Sequence, residues 1–537
     1  MLRNTFKNYL PVIALTILAG FLISYFWPAV FLILALIVGF LFAFKYPEKA
    51  LLALIFYLPF QIALNISSGI DLASGRILIL ALLGIWFFKS LAEKKIVIAK
   101  NTQTFLLLLF LFLALFSFLQ AWDLERAARK FLVFLSIFPL YFLITALLKR
   151  AVGDGALARV RTKPLNLAFG LKPSLQYPIS NILNAIFLSA VILSIIGISQ
   201  FALQFVIGID PVMDFWKDNI ASMFYGRSFG AEVVSNPSWL VNIGGQTILR
   251  SFSLFPDPHM FSFYLGLIIP ILLAFLLIPL SGGVRGGLKN LIYPQFFLSK
   301  SRVFGMGHDK RGIVLFLIFL ILLIAELLTF SRGGYLGMIA GIGAIIILGW
   351  RFISFSKKML LGIISAALIL FLVFAAQPIL TRFISIADLS EGSNFGRLAI
   401  WREAVEVWRD NFFWGTGLGN YSVEINPAAG YRTPIYAHNA YLDIAAEMGV
   451  FALLVWLSLF LITLWQLFRR SRTADNNFTR ALSLGLCGSL VWFSVHCFFE
   501  TPIYSPTILA MLMIMLGLAA IIISRQSDKK LPRKTEE

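Results

Sequence analysis

Residues 313–350 read IVLFLIFLILLIAELLTFSRGGYLGMIAGIGAIIILGW, and only Glu326 and Arg332 carry charge in that stretch. An α-helix rises 1.5 Å per residue, so about 20 apolar residues cross a hydrocarbon core of about 30 Å. This stretch is nearly twice that long and must fold back on itself. The natural reversal is SRGG at 331–334, because glycine accepts backbone geometries that other residues avoid. Two membrane-spanning helices follow, with Arg332 pinned at a membrane boundary. A charge there costs less than the roughly 2.5–3.5 kcal/mol of the bilayer centre. Arg332 then faces either lipid headgroups or an anionic ligand.

The same pattern extends in both directions. Fourteen apolar segments fall near 10–26, 29–45, 50–65, 76–92, 104–121, 129–148, 181–206, 259–279, 313–330, 333–350, 359–376, 446–467, 481–499 and 506–524. The 537 residues are 59% hydrophobic and 13% charged, about half the charge of an average soluble protein. We expect an all-α polytopic membrane protein of about 14 transmembrane helices (12–14). The start, MLRNTFKNYLPVIALTILAG, is basic and then apolar but has no small-residue cleavage site, so it reads as a first span rather than a removed signal. Cys487 and Cys497 lie roughly 15 Å apart along one predicted helix and cannot bridge each other.

The net charge of +19 divides between the two membrane faces. Alternate loops, including 94–100, 149–180, 280–312, 351–358, 469–472 and the tail, are rich in Lys and Arg. Such loops are cytoplasmic, so both termini are expected inside. The basic excess is thus a topology signal, and no nucleic-acid partner is implied. On the outer face Arg outnumbers Lys strongly, with only Lys130 and Lys217 present. A guanidinium binds carboxylate or phosphate bidentately, whereas an ammonium is a point charge. An Arg-selective outer face reads as placed anion recognition, although single arginines commonly pair with nearby acids or snorkel to headgroups.

Two outer loops are long, at about 207–258 and 377–443. The chain divides into 1–240, with the first spans and most of the first outer loop; 241–524, which carries the second; and a basic cytoplasmic tail, 525–537. Within the second loop GRLAIWREAVEVWRD reads as an amphipathic helix. Trp401, Ala404, Val405 and Trp408 share one face, with Arg402, Glu406 and Arg409 opposite, and the helix is expected to lie flat at the membrane surface. The following NFFWGTGLGN lacks the preceding strand and last glycine of a dinucleotide loop and reads as a turn.

His438, in AHNAYLDIAAEMG (437–449), is one of only four histidines. Asn439 after it is a plausible N-cap for the next helix. A lone loop histidine ordinarily just satisfies backbone groups. Here Arg250, Arg332 and His438 converge on one predicted face at span boundaries, and a neutral imidazole there can take a proton from a hydroxyl. Glu326 is an intramembrane carboxylate and so a candidate by default, or else the partner that neutralises an arginine. His259, His438, His496, Asp257 and Glu500 show no HxxxH or CxxC spacing, so no metal site is expected. Glu500-Thr501-Pro502 reads as a helix stop.

Three stretches, SRGGYLGMIAG (331–341), FGRLAIWREAVEVWRDNFFWGTGLGN (395–420) and HNAYLDIAAEMGVFALL (438–454), occur in order. Together they resemble the O-antigen ligase and O-antigen polymerase superfamily of bacterial membrane glycosyltransferases over roughly residues 245–500. The resemblance implies a GT-C-like, multi-spanning fold in the bacterial inner (plasma) membrane. It implies transfer of a glycan from undecaprenyl diphosphate to a hydroxyl of a glycan or glycolipid acceptor on the extracytoplasmic side, with no nucleotide sugar, cofactor or metal. By resemblance His438 would be the base or acceptor-orienting residue and Arg332 would bind the diphosphate. Arg250 would be a second diphosphate ligand, because RSFSLFPDPHMFSFYL looks like the family's RxxGTxxxPNxxA segment, with Ser253 in place of the glycine and His259 in place of the asparagine. Arg397, Arg402, Asn439 and Glu326 are supporting candidates. The competing expectation is a transporter of a small anion such as bicarbonate. Transporters tend to place polar groups near the bilayer midplane in broken helices, whereas the candidates here sit at span boundaries.

Overall fold

The computed structural model describes residues 37–67, 70–94, 98–153, 176–235, 238–243, 245–278, 308–354, 357, 392–430 and 435–527. The predicted segments at 10–26 and 359–376 lie outside these residues, as do 377–391 of the second outer loop. Among the described residues nine helical segments are long and apolar enough to cross a membrane, and a shorter apolar helix spans Gly312–Leu327.

The first half contains α1 (Pro47–Tyr57), β1 (Ala63–Ser67), β2 (Ile70–Ala73), α2 (Ser74–Ala92), α3 (Thr102–Phe116), α4 (Leu124–Ile137), α5 (Pro139–Gly153) and α6 (Gln176–Ile207). Short helices α7 (Ile209–Phe215) and α8 (Arg227–Ser235) lead to a second hairpin, β3 (Leu240–Ile243) and β4 (Gln246–Leu249). The second half holds α9 (Pro258–Gly266), α10 (Ile269–Leu277), α11 (His308–Leu327), α12 (Arg332–Gly349), α13 (Gly392–Asp410), α14 (Tyr421–Ile425), α15 (Ala440–Thr473), α16 (Asn477–His496) and α17 (Pro506–Ser527). The molecule is mostly helical, as the composition requires, with two small antiparallel hairpins.

Helix α3 shows why this is a membrane fold. It buries Leu106, Leu107, Phe110 and Ala114 and exposes Phe105, Leu108, Phe112 and Leu115. A surface helix of a soluble protein turns its polar side out; here both sides are apolar, and the outer one suits lipid. Helices α9, α10 and α17 run through the centre of the bundle, surrounded by the others.

Two predicted spans are interrupted. The segment 50–65 ends as a helix at Tyr57, passes through a 3₁₀ turn at Leu58–Phe60 and enters β1. The segment 259–279 breaks between α9 and α10, where Pro270 removes a backbone donor. A freed carbonyl is costly at membrane depth unless something bonds it, and Ser489 Oγ donates to the Leu267 carbonyl at 2.8 Å.

Helix α12 lies unusually close to α16. Gly333, Gly337 and Gly341 recur every four residues, the small-residue spacing that lets membrane helices approach closely. A Cβ on Gly337 would sit 2.4 Å from Trp492, and one on Gly341 would sit 2.7 Å from the Gly488 carbonyl oxygen. This contact fixes the start of α12, and with it Arg332, against the end of α16.

The glycine-rich stretch after α13 is a turn, as its sequence implies, and it also has a structural task. Helix α15 kinks at Gly449 (φ 74°, ψ −179°). The carbonyls freed there are taken by the turn, since Thr416 N donates to the Ala446 carbonyl at 2.8 Å and Gly417 N to that of Glu447 at 3.0 Å. A Cβ on Gly449 would lie 2.1 Å from the Phe413 carbonyl oxygen, in a backbone region nearly closed to other residues. Gly449→Ala is therefore expected to destabilise the protein by at least about 2 kcal/mol, read as a lowered thermal midpoint in detergent. An unchanged midpoint would contradict this account of the kink.

Helix α13 corrects one expectation. Its buried side carries Ile400, Ala404 and Val407, which pack on Tyr421, Ala437 and Ala446, while Val405 is exposed. It thus rests on the start of α15 through Ala404 of the predicted face together with Ile400 and Val407, and Val405 is the member of that face that turns outward. Helix directions place residues 258, 332, 440 and 496 at one end of the bundle and Lys357, Arg470 and Arg480 at the other.

Candidate active site

Three helices begin at the first of these ends. Asp257 caps α9 by accepting from Met260 N at 2.9 Å, and this sets His259 in the first turn. Ser331 caps α12, whose first residue is Arg332. Asn439 caps α15 by accepting from Tyr441 N and Leu442 N, directly after His438. Helix N-termini carry partial positive charge and favour anions.

The cluster is organised around Glu500, which its sequence context marks only as a helix stop. Glu500 Oε2 lies 2.9 Å from His438 Nδ1, and its Oε1 accepts from Arg397 Nη2 at 3.0 Å. His259 Nε2 is 3.8 Å from the same Oε1 and 3.5 Å from Arg250 Nη2. His259 Nδ1 is 2.9 Å from Ser331 Oγ, which lies 3.3 Å from His496 Nε2. Three of the four histidines and two arginines therefore connect through one carboxylate and one hydroxyl.

Proton positions follow from the partners. A carboxylate only accepts, so His438 Nδ1 carries the hydrogen and Nε2 keeps its lone pair. His438 is half-exposed, with 47% of its side chain accessible against 11% for Glu500, so the basic nitrogen sits on the open side of a mostly buried acid. The hydrogen bond and charge of Glu500 raise the His438 pKa above the ordinary imidazole value. Burial alone would raise Glu500, but His259, His438 and Arg397 together outweigh it and hold that carboxyl well below the usual range. The pair is thus an ion pair when His438 is protonated and a carboxylate-oriented base when it is not.

Backbone strain concentrates here. Apart from Lys94, the non-glycine residues with left-handed φ among the described residues are Ser253 (54°), Phe330 (49°) and His438 (48°). One lies in the Arg250 segment, one two residues before Arg332, and one is His438 itself. Such strain persists where surrounding contacts impose it and clusters at functional sites.

The other predicted residues divide. Arg250 Nε donates to the Thr329 carbonyl at 2.7 Å and its Nη1 to that of Ser238 at 3.0 Å, which fastens the β4 end to the α11–α12 turn. Arg332 is buried one residue from Ser331, and the Cβ position of its neighbour Gly333 abuts His496 and Phe499. Asn439 is spent on the helix cap. Arg402 is exposed, on the face of α13 away from Ala404. Glu326 is fully buried and accepts from Ser262 Oγ at 2.7 Å; among the described residues it forms no ion pair, so it is not a neutralising partner for an arginine.

Glu500 left one signal in the sequence: it is the lone acid between Asp475 and Asp528, at the end of a span. Among the described residues no group of three or more His, Cys, Asp or Glu is arranged to hold a metal ion.

Residues 317–457 match the sequence family described as O-Antigen ligase. This stretch is similar to the O-antigen ligase and polymerase superfamily. The Teichuronic acid biosynthesis protein TuaE of Bacillus subtilis (strain 168) is 28% identical over 212 residues, which covers 37% of this chain and 42% of that protein. The similarity thus spans less than half of the relative's length. The O-antigen ligase segment contains Arg332, Arg397 and His438, while Arg250, His259 and Glu500 lie outside it and join the site through the fold.

Proposed function

We propose that this chain is an extracytoplasmic glycosyltransferase of surface polysaccharide assembly, of ligase or polymerase type. It moves a glycan from undecaprenyl diphosphate to a hydroxyl of a glycan or glycolipid acceptor. The observation that carries this reading is the His438–Glu500 pair set among arginines and three helix N-termini.

His438 Nε2 takes the acceptor hydroxyl proton as the oxygen forms its bond to the anomeric carbon. The bond from that carbon to the diphosphate oxygen breaks, and undecaprenyl diphosphate leaves with the electron pair. Negative charge grows on the leaving group, where Arg332, Arg397 and the helix N-termini offset it without reorganising. Glu500 holds the imidazole in the tautomer that keeps Nε2 free and stabilises the imidazolium that forms. The polyprenyl tail stays in the outer leaflet beside the apolar helices. The family match and the similarity to a teichuronic acid biosynthesis protein support the same class of chemistry.

The test is reconstitution in liposomes with a defined undecaprenyl-diphosphate glycan and a panel of sugar acceptors. The expected result is an extended acceptor together with released undecaprenyl diphosphate. Uptake of bicarbonate into the same liposomes, with no transfer to any acceptor, would overturn the proposal in favour of a transporter.

A further inference from the structure

The His438–Glu500 pair joins two loops that lie far apart in sequence, and neither loop is held by the pair alone. Asp443, in the first turns of α15, is completely buried. Its Oδ1 accepts from Ala437 N at 2.9 Å, and its Oδ2 accepts from the Thr501 hydroxyl. Ala437 immediately precedes His438 and Thr501 immediately follows Glu500. One carboxylate therefore grips the chain neighbour of each member of the pair.

We infer that Asp443 is a positioning residue that sets the distance and orientation of His438 against Glu500. This inference rests on the reading of that pair as the proton acceptor and its orienting acid. An acid near a helix N-terminus is ordinary by itself, since the helix dipole favours it. Asp443 goes further, because both of its oxygens bond outside the helix. Ala437 also lies ahead of the Asn439 cap, beyond the reach of a capping box.

Two further contacts fit the same role. The Ala437 carbonyl accepts from Trp401 Nε1 at 3.0 Å, so both backbone polar groups of Ala437 are held just before the left-handed His438. One helical turn beyond Asp443, Glu447 accepts from the Tyr504 hydroxyl and pairs with Lys130 Nζ at 2.7 Å. Two carboxylates one turn apart on α15 thus hold Thr501 and Tyr504, at either end of the short segment that follows Glu500. Lys130 comes from α4, so the first half of the chain braces this segment as well. A hydroxyl substrate must meet a base within a few tenths of an ångström of the productive geometry, and a misplacement of about 1 Å costs about 10²-fold in rate.

Thr501→Val removes the hydroxyl and keeps the side-chain shape; Asp443→Ala removes both contacts. Each is expected to lower kcat for glycan transfer by about 10-fold to 10²-fold. The KM for the lipid-linked donor should stay within about twofold, because positioning acts on the transition state rather than on donor binding. Each should also move the rising limb of the pH profile to lower pH, as His438 loses part of its contact with Glu500. Thr501→Ser and Asp443→Asn, which can still hold both neighbours, should restore most of kcat. The double variant Asp443→Ala/Thr501→Val should be no slower than the slower single one, because the two act through one contact. Should Asp443→Ala fail to reach the membrane, Thr501→Val decides alone. A Thr501→Val protein with unchanged kcat and pH profile, measured where His438→Ala is inactive, overturns the positioning role and leaves the proposed chemistry standing. Full activity of His438→Ala itself would instead overturn the reading on which it rests.

Discussion

Replacing His438 with Ala is expected to lower glycan transfer by about 10²–10⁴-fold, the ordinary worth of a positioned general base. The acceptor hydroxyl is a poor nucleophile until its proton is removed, and His438 offers a free Nε2 on the accessible side of the cluster. Folding should survive the change. The side chain is half-exposed, its removal opens no enclosed cavity, and Arg397 still neutralises Glu500. Membrane insertion and, at a pH above the His438 pKa, thermal midpoint are therefore expected to match the parent, with loss confined to turnover. Normal surface glycan in a strain carrying only the Ala variant would remove His438 from the mechanism.

Glu500→Gln should have an effect of the same order and a different signature. The amide keeps the shape of the acid but no longer carries charge, so it neither enforces the Nδ1–H tautomer nor stabilises the imidazolium. Carboxylates in this relation to a histidine are worth on the order of 10²–10⁴-fold. The pH dependence gives the clearer reading. A base works only when unprotonated, so activity rises with pH through the His438 pKa, which Glu500 raises above its ordinary value. Glu500→Gln should move that limb down toward the ordinary imidazole value of about 6.5. A limb that stays in place would show that His438 and Glu500 are not coupled.

The same shifts fix the sign of the stability effect. His438 is raised in the folded state, so its contribution is complete below its unfolded pKa and fades as pH rises through the folded one. Glu500 is depressed, so its contribution is complete above the ordinary carboxylate value of about 4.3 and is lost as pH falls. The ion pair is therefore strongest between these limits, and catalysis rises as the His438 part of that stabilisation fades.

The bilayer made much of the fold legible. A segment with no charge over about twenty residues has few alternatives in hydrocarbon, so the helices at 76–92, 333–350 and 506–524 follow almost directly from hydropathy. One strong local signal also survived, since Asn439 caps α15; the reversal expected at SRGG instead falls at 328–331, and Gly333 and Gly334 lie inside α12, where Gly333 packs on α16. Local rules failed where distant groups intervene. The buried stripe of α13 is chosen by the start of α15, and Val405, apolar and on the predicted face, is left outside. The glycines of 415–419 were readable as a turn, but nothing nearby in sequence shows that their backbone satisfies carbonyls freed at a kink some thirty residues later.

By itself the sequence determined that the chain is a polytopic membrane protein and that His438 and Arg332 sit at span ends. Both conclusions rest on short-range physics, the transfer of apolar segments into lipid and the exclusion of charge from its centre. Only the tertiary structure decided that Glu500 joins His438, Arg397 and His259, that Arg250 bonds the Thr329 carbonyl, and that Asp443 bonds the chain neighbours of both members of the pair. The reason is geometric: hydrogen bonds and ion pairs act over about 3 Å, and here they join residues as far apart in sequence as His438 and Glu500, 62 positions, or Arg397 and Glu500, 103 positions. Helix direction and the close approach of α12 to α16 alone bring those positions together.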